Sequence, residues 1–92
     1  MRYEFKSSFE DSIKNFNEEE KEEVKTTVVR AVEILAQNKH AHKGIGMKRL
    51  KGDCWEIRHG LKTRIIFRWS TDLVEFILAG SHDEVKRYLK NR

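Results

Sequence analysis

The chain has 92 residues, 38% of them apolar and 37% charged, with a net charge of +4 and a pI near 9.3. That length allows one domain with a small core. The charge excludes a membrane protein, and the apolar segments exclude a disordered one. No apolar run nears the roughly 18 residues of a transmembrane helix, and Met1–Lys6 lacks the apolar centre of a secretory signal. A single cysteine, Cys54, allows no intrachain disulfide. The expectation is a cytoplasmic protein in a reducing compartment, with no membrane partner.

Tyr3-Glu4-Phe5-Lys6 alternates apolar and charged residues and predicts a first strand. Ser7 or Ser8 then caps a short helix carrying Phe9, Ile13 and Phe16. Asn17 precedes three glutamates, which suit the positive end of a helix, and a second helix runs from about Glu18 to Gln37. Its apolar stripe is Val24, Val28, Ala31, Val32 and Leu35. The two helices form a hairpin. Asn38 to Gly46 reads as a loop made basic by Lys39, His40, His42 and Lys43. Two histidines at i, i+2 with no nearby Cys or spaced carboxylate do not make a metal site, so no metal and no cofactor are expected.

Trp55–His59 and Thr63–Trp69 are both rich in strand formers. A three-residue connection, Gly60-Leu61-Lys62, pairs His59 with Thr63, Arg58 with Arg64, Ile57 with Ile65 and Trp55 with Phe67. Alternation puts Trp55, Ile57, Ile65, Phe67 and Trp69 on one face, and Glu56, Arg58, Arg64, Ile66 and Arg68 on the other. A two-residue loop would mix the faces. Leu73–Ala79 is a third, central strand, apolar on nearly both sides, and Gly80 ends it. Ser81 and Glu84 form a capping-box pattern that opens a short helix with Val85, Tyr88 and Leu89 on its apolar side. With no proline, linker or repeat, residues 1–92 read as one α+β domain. Its element order is β, α, α, β, β, β, α, with the helices on one side of the sheet.

Residues 1–36 hold nine acids and six bases, a net of −3, which leaves +7 of the total +4 on residues 37–92. A basic half points to a polyanionic partner, most simply nucleic acid. On the open sheet face, Arg58, Arg64 and Arg68 offer planar paired donors for phosphate. Glu56 and Glu75 share that face, so local ion pairing is the competing account. Lys48, Arg49 and Lys51 extend the basic surface along a polynucleotide backbone. His82, at the start of the last helix, is the side chain most easily poised for proton transfer. Tyr88 reads first as a core residue. Trp55 and Trp69 fit core packing against the helices better than base stacking.

Met47–Leu89 resembles the RelE/ParE superfamily of small bacterial toxins. The resemblance rests on Leu50-Lys51-Gly52 followed by Trp55-Glu56-Ile57-Arg58, on Arg64-Ile65-Ile66-Phe67, and on Gly80-Ser81-His82-Asp83-Glu84-Val85. The N-terminal half agrees in outline. The resemblance implies a RelE-like fold: an N-terminal strand and helical hairpin, then a twisted, mainly antiparallel sheet and a short C-terminal helix. It also implies the toxin of a type II toxin–antitoxin system. Such a toxin is a metal-independent mRNA endonuclease at the ribosomal A site that uses the RNA's own 2′-hydroxyl and leaves a cyclic phosphate. The implied partners are mRNA, the ribosome and a cognate antitoxin from a neighbouring gene.

Carried onto this chain, the family's strand arginine is Arg64 and its basic or histidine position after the last strand is His82. Arg58 and Arg68 assist, and the C-terminal aromatic falls near Tyr88. Lys48, Arg49 and Lys51 hold RNA, and His59 resembles a family histidine placed after the Trp-Glu-Ile-Arg strand. Some members carry arginine where this chain has His82, so the roles of acid and base stay open. Two other readings remain: a ParE-like gyrase inhibitor, and a toxin-fold binding module without catalysis.

Overall fold

The structure, a computed structural model, describes residues 1–36, 46–58 and 63–91. In chain order the elements are β1 (Arg2–Phe5), α1 (Ser7–Ser12), α2 (Glu18–Ala36), β2 (Lys48–Lys51), β3 (Cys54–Arg58), β4 (Arg64–Trp69), β5 (Leu73–Gly80) and α3 (His82–Lys90). The strands form one mixed sheet in the order β1-β5-β4-β3-β2. β1 runs parallel to β5, and the other neighbours are antiparallel.

The β3–β4 register is the one that the alternation argument selects. Arg58 pairs with Arg64, Ile57 with Ile65 and Trp55 with Phe67. The expected His59–Thr63 pair and the Gly60–Lys62 turn lie outside the described residues, as do His40 and His42. Ile57, Ile65 and Phe67 pack with Phe9, Val24, Ala31, Leu35, Val74 and Phe76 in one core under α1 and α2. Trp55 and Trp69 stand at its margin, their rings 5.4 Å apart and tilted, in the core role expected of them. Asn17 caps α2 reciprocally. Its Oδ1 accepts from the Glu20 amide at 2.7 Å, and its own amide donates to the Glu20 carboxylate at 2.9 Å, which satisfies two groups that a helix start leaves open.

Several expectations are corrected. The helices do not all lie on one side. α3 crosses to the other face of the sheet, where Val85, Tyr88 and Leu89 cover Cys54, Ile66, Ile77 and Leu78. Burial explains this. Cys54 and Ile66 belong to the face left open by alternation, and an uncovered apolar patch there would stay wet. Lys48–Lys51, which the expected element order leaves out, is a strand. It lacks apolar alternation, and its pairing with β3 is what makes it one. α1 is capped by neither serine: it starts at Ser7 after Lys6, with no side-chain cap. Ser8 Oγ instead donates to the Ile77 carbonyl at 2.6 Å and ties the helix to β5. Ile13 and Phe16 lie beyond the end of α1 but still pack on the core.

One irregularity sets the geometry that follows. β5 pairs Leu78 with Ile66 but Phe76 with Phe67, skipping Ile77. Such a bulge reverses which side the following residues face. Val74 and Phe76 belong to the α1/α2 core, whereas Ile77 and Leu78 both turn toward α3. Gly80 thereby comes opposite Arg64.

Candidate functional site

β4 and the start of α3 meet at Arg64 and His82. Nη1 of Arg64 lies 2.8 Å from Nδ1 of His82 and 3.4 Å from Oε1 of Glu56. Glu56 is nearly buried, its side chain 8% exposed, and Arg64 is partly buried at 20%. His82 is exposed. A carboxylate at that depth requires a cationic or hydrogen-bonding partner, and Arg64 supplies it.

The cap of α3 fixes His82. Ser81 Oγ accepts from the Glu84 amide at 3.2 Å, and the Glu84 carboxylate accepts from the Ser81 amide at 3.0 Å. Gly80 leaves space for that folded-back glutamate. A Cβ at Gly80 would come within 3.1 Å of the Glu84 Cβ and 3.2 Å of its Oε1. The glycine, the serine and the glutamate together orient the first turn of α3 over β4.

A groove of about 320 Å³ runs from this pair between β2 and α3. It is lined by Lys48, Leu50, Glu56, Arg64, His82, Val85, Lys86 and Leu89. It adjoins a hollow of about 730 Å³ bordered by Lys48, Arg49, Leu50, Lys51, Gly52, Asp53 and Leu89. A register shift between Arg49 and Lys51 lies beside this second hollow. Lys48 opposes Glu56 and Lys51 opposes Cys54, so both lysines flank Leu50 on the α3 side. The result is an apolar floor with a cationic rim, leading to an arginine and a histidine. Lys86 was not among the expected residues. Its signal was its spacing, four residues after His82 on one helix, which puts both on the same face.

The other expected residues are dispersed. Arg49 opposes Trp55, and its Nε donates to the Gly52 carbonyl at 2.8 Å, folding it onto its own turn. Arg58 pairs with Arg64 across the strands and packs over Gly46, where a Cβ would meet its Cγ at 2.8 Å. Gly46 has a φ of +70°, a conformation that suits glycine. Arg68 lies four residues along β4 from Arg64, about 13 Å away by strand geometry. There it pairs with Glu75 at 3.5 Å and Asp53 at 3.7 Å. Tyr88 faces a separate hollow with Leu78, Glu84, Arg87 and Asn91. His59 lies outside the described residues. The competing account of local ion pairing therefore describes Arg68 fully and Arg64 in part.

At the far end of the sheet, Lys6 Nζ lies 2.8 Å from Glu75 Oε2. Its hydrogen bond and charge hold the Glu75 carboxyl below its ordinary 4.5, against the opposing effect of desolvation. The same contact raises Lys6 above its ordinary 10.5. This network does not touch the groove.

No family model and no curated protein matches the chain by sequence. Solved structures do match, over nearly the whole chain. A chain of the RelB–RelE antitoxin–toxin complex from Methanococcus jannaschii has a TM-score of 0.68 at 18% identity, covering 92% of this chain and 96% of that one. The chain has the RelE-like toxin fold. YafQ from E. coli gives a TM-score of 0.67 at 11% identity, with 91% and 96% covered. A copper-bound mutant toxin from Helicobacter pylori gives 0.66 at 15% identity, with 92% and 98% covered. Among the described residues, no helix is long and apolar enough to cross a membrane. Those residues also contain no group of three or more His, Cys, Asp or Glu placed to hold a metal.

Proposed function

We propose that this chain is the toxin of a type II toxin–antitoxin system, a metal-independent endoribonuclease that cuts mRNA in the ribosomal A site. The observation that carries the reading is the 2.8 Å contact between Arg64 and His82 at the head of a groove rimmed by Lys48 and Lys86. A chain of a solved antitoxin–toxin complex shares the fold, which supports an antitoxin as partner.

In this reading Lys48, Lys51 and Lys86 bind successive phosphates of the RNA backbone. Arg64 lies against the scissile phosphate, where its fixed charge meets the negative charge that builds up at phosphorus. The 2′-oxygen attacks phosphorus and the bond to the 5′-oxygen breaks, leaving a 2′,3′-cyclic phosphate and a 5′-hydroxyl. Glu56 is the acceptor in the groove for the 2′-hydroxyl proton, and His82 delivers a proton to the departing 5′-oxygen.

The test is induction in a bacterium with mapping of new 5′ ends in cellular mRNA. Cuts within translated frames and growth arrest are expected. Arg64→Ala should lower cleavage roughly 10²–10³-fold, the range for removing one charge-stabilising donor, as read on the folded fraction, since the variant also leaves the Glu56 carboxylate without its cation. His82→Ala should also lose cleavage. Full toxicity in a folded Arg64→Ala variant would sink the assignment. Arrest without mRNA cuts, with loss of supercoiling by purified gyrase, would favour the ParE-like reading. No arrest from folded protein would favour a binding module.

A further inference from the structure

The Arg64–His82 contact constrains where protons sit. A guanidinium has only donors and keeps its charge at all accessible pH. At 2.8 Å, Nδ1 of His82 is therefore the acceptor, and the proton of the neutral ring is on Nε2. A proton on Nδ1 would set two donors and two positive charges against each other. An imidazole held this way is a poor acid, because giving up the Nε2 proton would leave an imidazolate. The acid role proposed above needs Nδ1 protonated as well, which requires Arg64 to let go.

The surroundings supply the means. Nη1 of Arg64 is shared between a neutral imidazole and the Glu56 carboxylate. A phosphate oxygen is a charged acceptor, and hydrogen bonds to charged acceptors are roughly twice as strong as neutral ones. An anion entering the groove beside Lys48 and Lys86 outcompetes the imidazole for the guanidinium. Among the described residues, the charged side chains that share a hollow with His82 are Lys48 from β2, Glu56 from β3, Arg64 from β4, Glu20 from α2, and Asp83, Glu84 and Lys86 from α3. Glu84 is engaged in the capping box. The start of α3 opposes a positive ring. Glu20 is likewise engaged, in the cap of α2, and Asp83 and the incoming anion favour one.

We propose that Arg64 and His82 form an anion-released proton couple. A phosphate diester draws Arg64 off Nδ1, and His82 takes up a proton from solvent, so the acid is loaded only when the scissile phosphate is in place. This deepens the endonuclease reading and rests on it for its purpose. Its test does not need RNA.

The probe is sulfate, a tetrahedral anion that exchanges no proton of its own near neutral pH. Nitrogen NMR of the full chain is expected to show His82 with Nδ1 unprotonated and Nε2 protonated before sulfate, and both protonated after it. Calorimetry in two buffers of different ionisation enthalpy is expected to show net proton uptake on binding, absent in His82→Gln. Nδ1 already protonated in the free protein would overturn the couple. So would uptake unchanged in His82→Gln, sulfate bound without uptake, or no sulfate binding by the folded chain. A protein that shows the couple but cuts no mRNA loses the endonuclease reading alone. One that cuts mRNA without proton uptake loses the couple alone.

Discussion

Arg64 and Arg68 share a strand and a face yet stand in different chemistry. Arg64 faces a histidine and a nearly buried glutamate at the head of a groove, whereas Arg68 faces Glu75 and Asp53 at the far end. Alternation along β4 assigns both to one face and says nothing of what α3 will cover. Arg68→Ala is accordingly expected to leave mRNA cleavage within about twofold of the parent. It should cost less than about 1 kcal/mol, because its pairs are partly exposed and surface pairs of this kind contribute little. Cleavage rates and urea midpoints of the purified variant check both parts. A large loss of cleavage with stability intact would return Arg68 to the site.

At the scale of elements, α3 is the piece that converts a sheet face into a groove. Its capping box was legible in Ser81-His82-Asp83-Glu84, because capping is a contact between residues three apart. Its side of the sheet was not legible. That depends on Cys54, Ile66 and Ile77 needing cover and on the bulge at Ile77. Ser81→Ala should destabilise the chain by about 1 kcal/mol, the usual cost of losing an N-cap side chain. Amide exchange should quicken in the first turn of α3, and cleavage should fall with it, since the cap orients His82. Unchanged exchange there would separate the cap from the site. The shared core behaves differently. Phe67 is fully buried between α2 and the sheet, and Phe67→Ala should cost about 3–5 kcal/mol, read as a fall in the denaturation midpoint. For a chain of this size that approaches total stability.

Across the whole molecule, charge is divided between two ends of one sheet face. The Lys6–Glu75–Arg68 network holds the end away from His82. Glu75 has its folded-state value depressed below 4.5, chiefly by the Lys6 hydrogen bond. Its contribution is therefore present above the unfolded value and is lost as pH falls through the folded one. Lys6 is raised above 10.5 by the same bond, so its contribution holds below that value and is lost only as pH rises through the folded one. Stability should fall on the acid side below about pH 4.5, and Lys6→Met should flatten that limb. Urea midpoints measured from pH 3 to 7 decide the point, and an unchanged slope in the variant would remove the network from the acid response.

What the chain determined by itself was what neighbouring residues decide: the period of α2, the β3–β4 register from alternation, the Ser81–Glu84 cap, and the positions of Arg64 and His82. Each depends on spacings of two to four residues or on one turn length. What only the tertiary structure decided were contacts across the fold. β2 is a strand because β3 pairs with it, since Lys48-Arg49-Leu50-Lys51 has no strand period of its own. The bulge at Ile77 turns Gly80 toward Arg64, and α3 crosses to the far face because apolar residues there need cover. Those three outcomes bring His82 to 2.8 Å from Arg64 and leave Arg68 apart. No local pattern contains them, because burial is a property of the assembled sheet and not of any one of its strands.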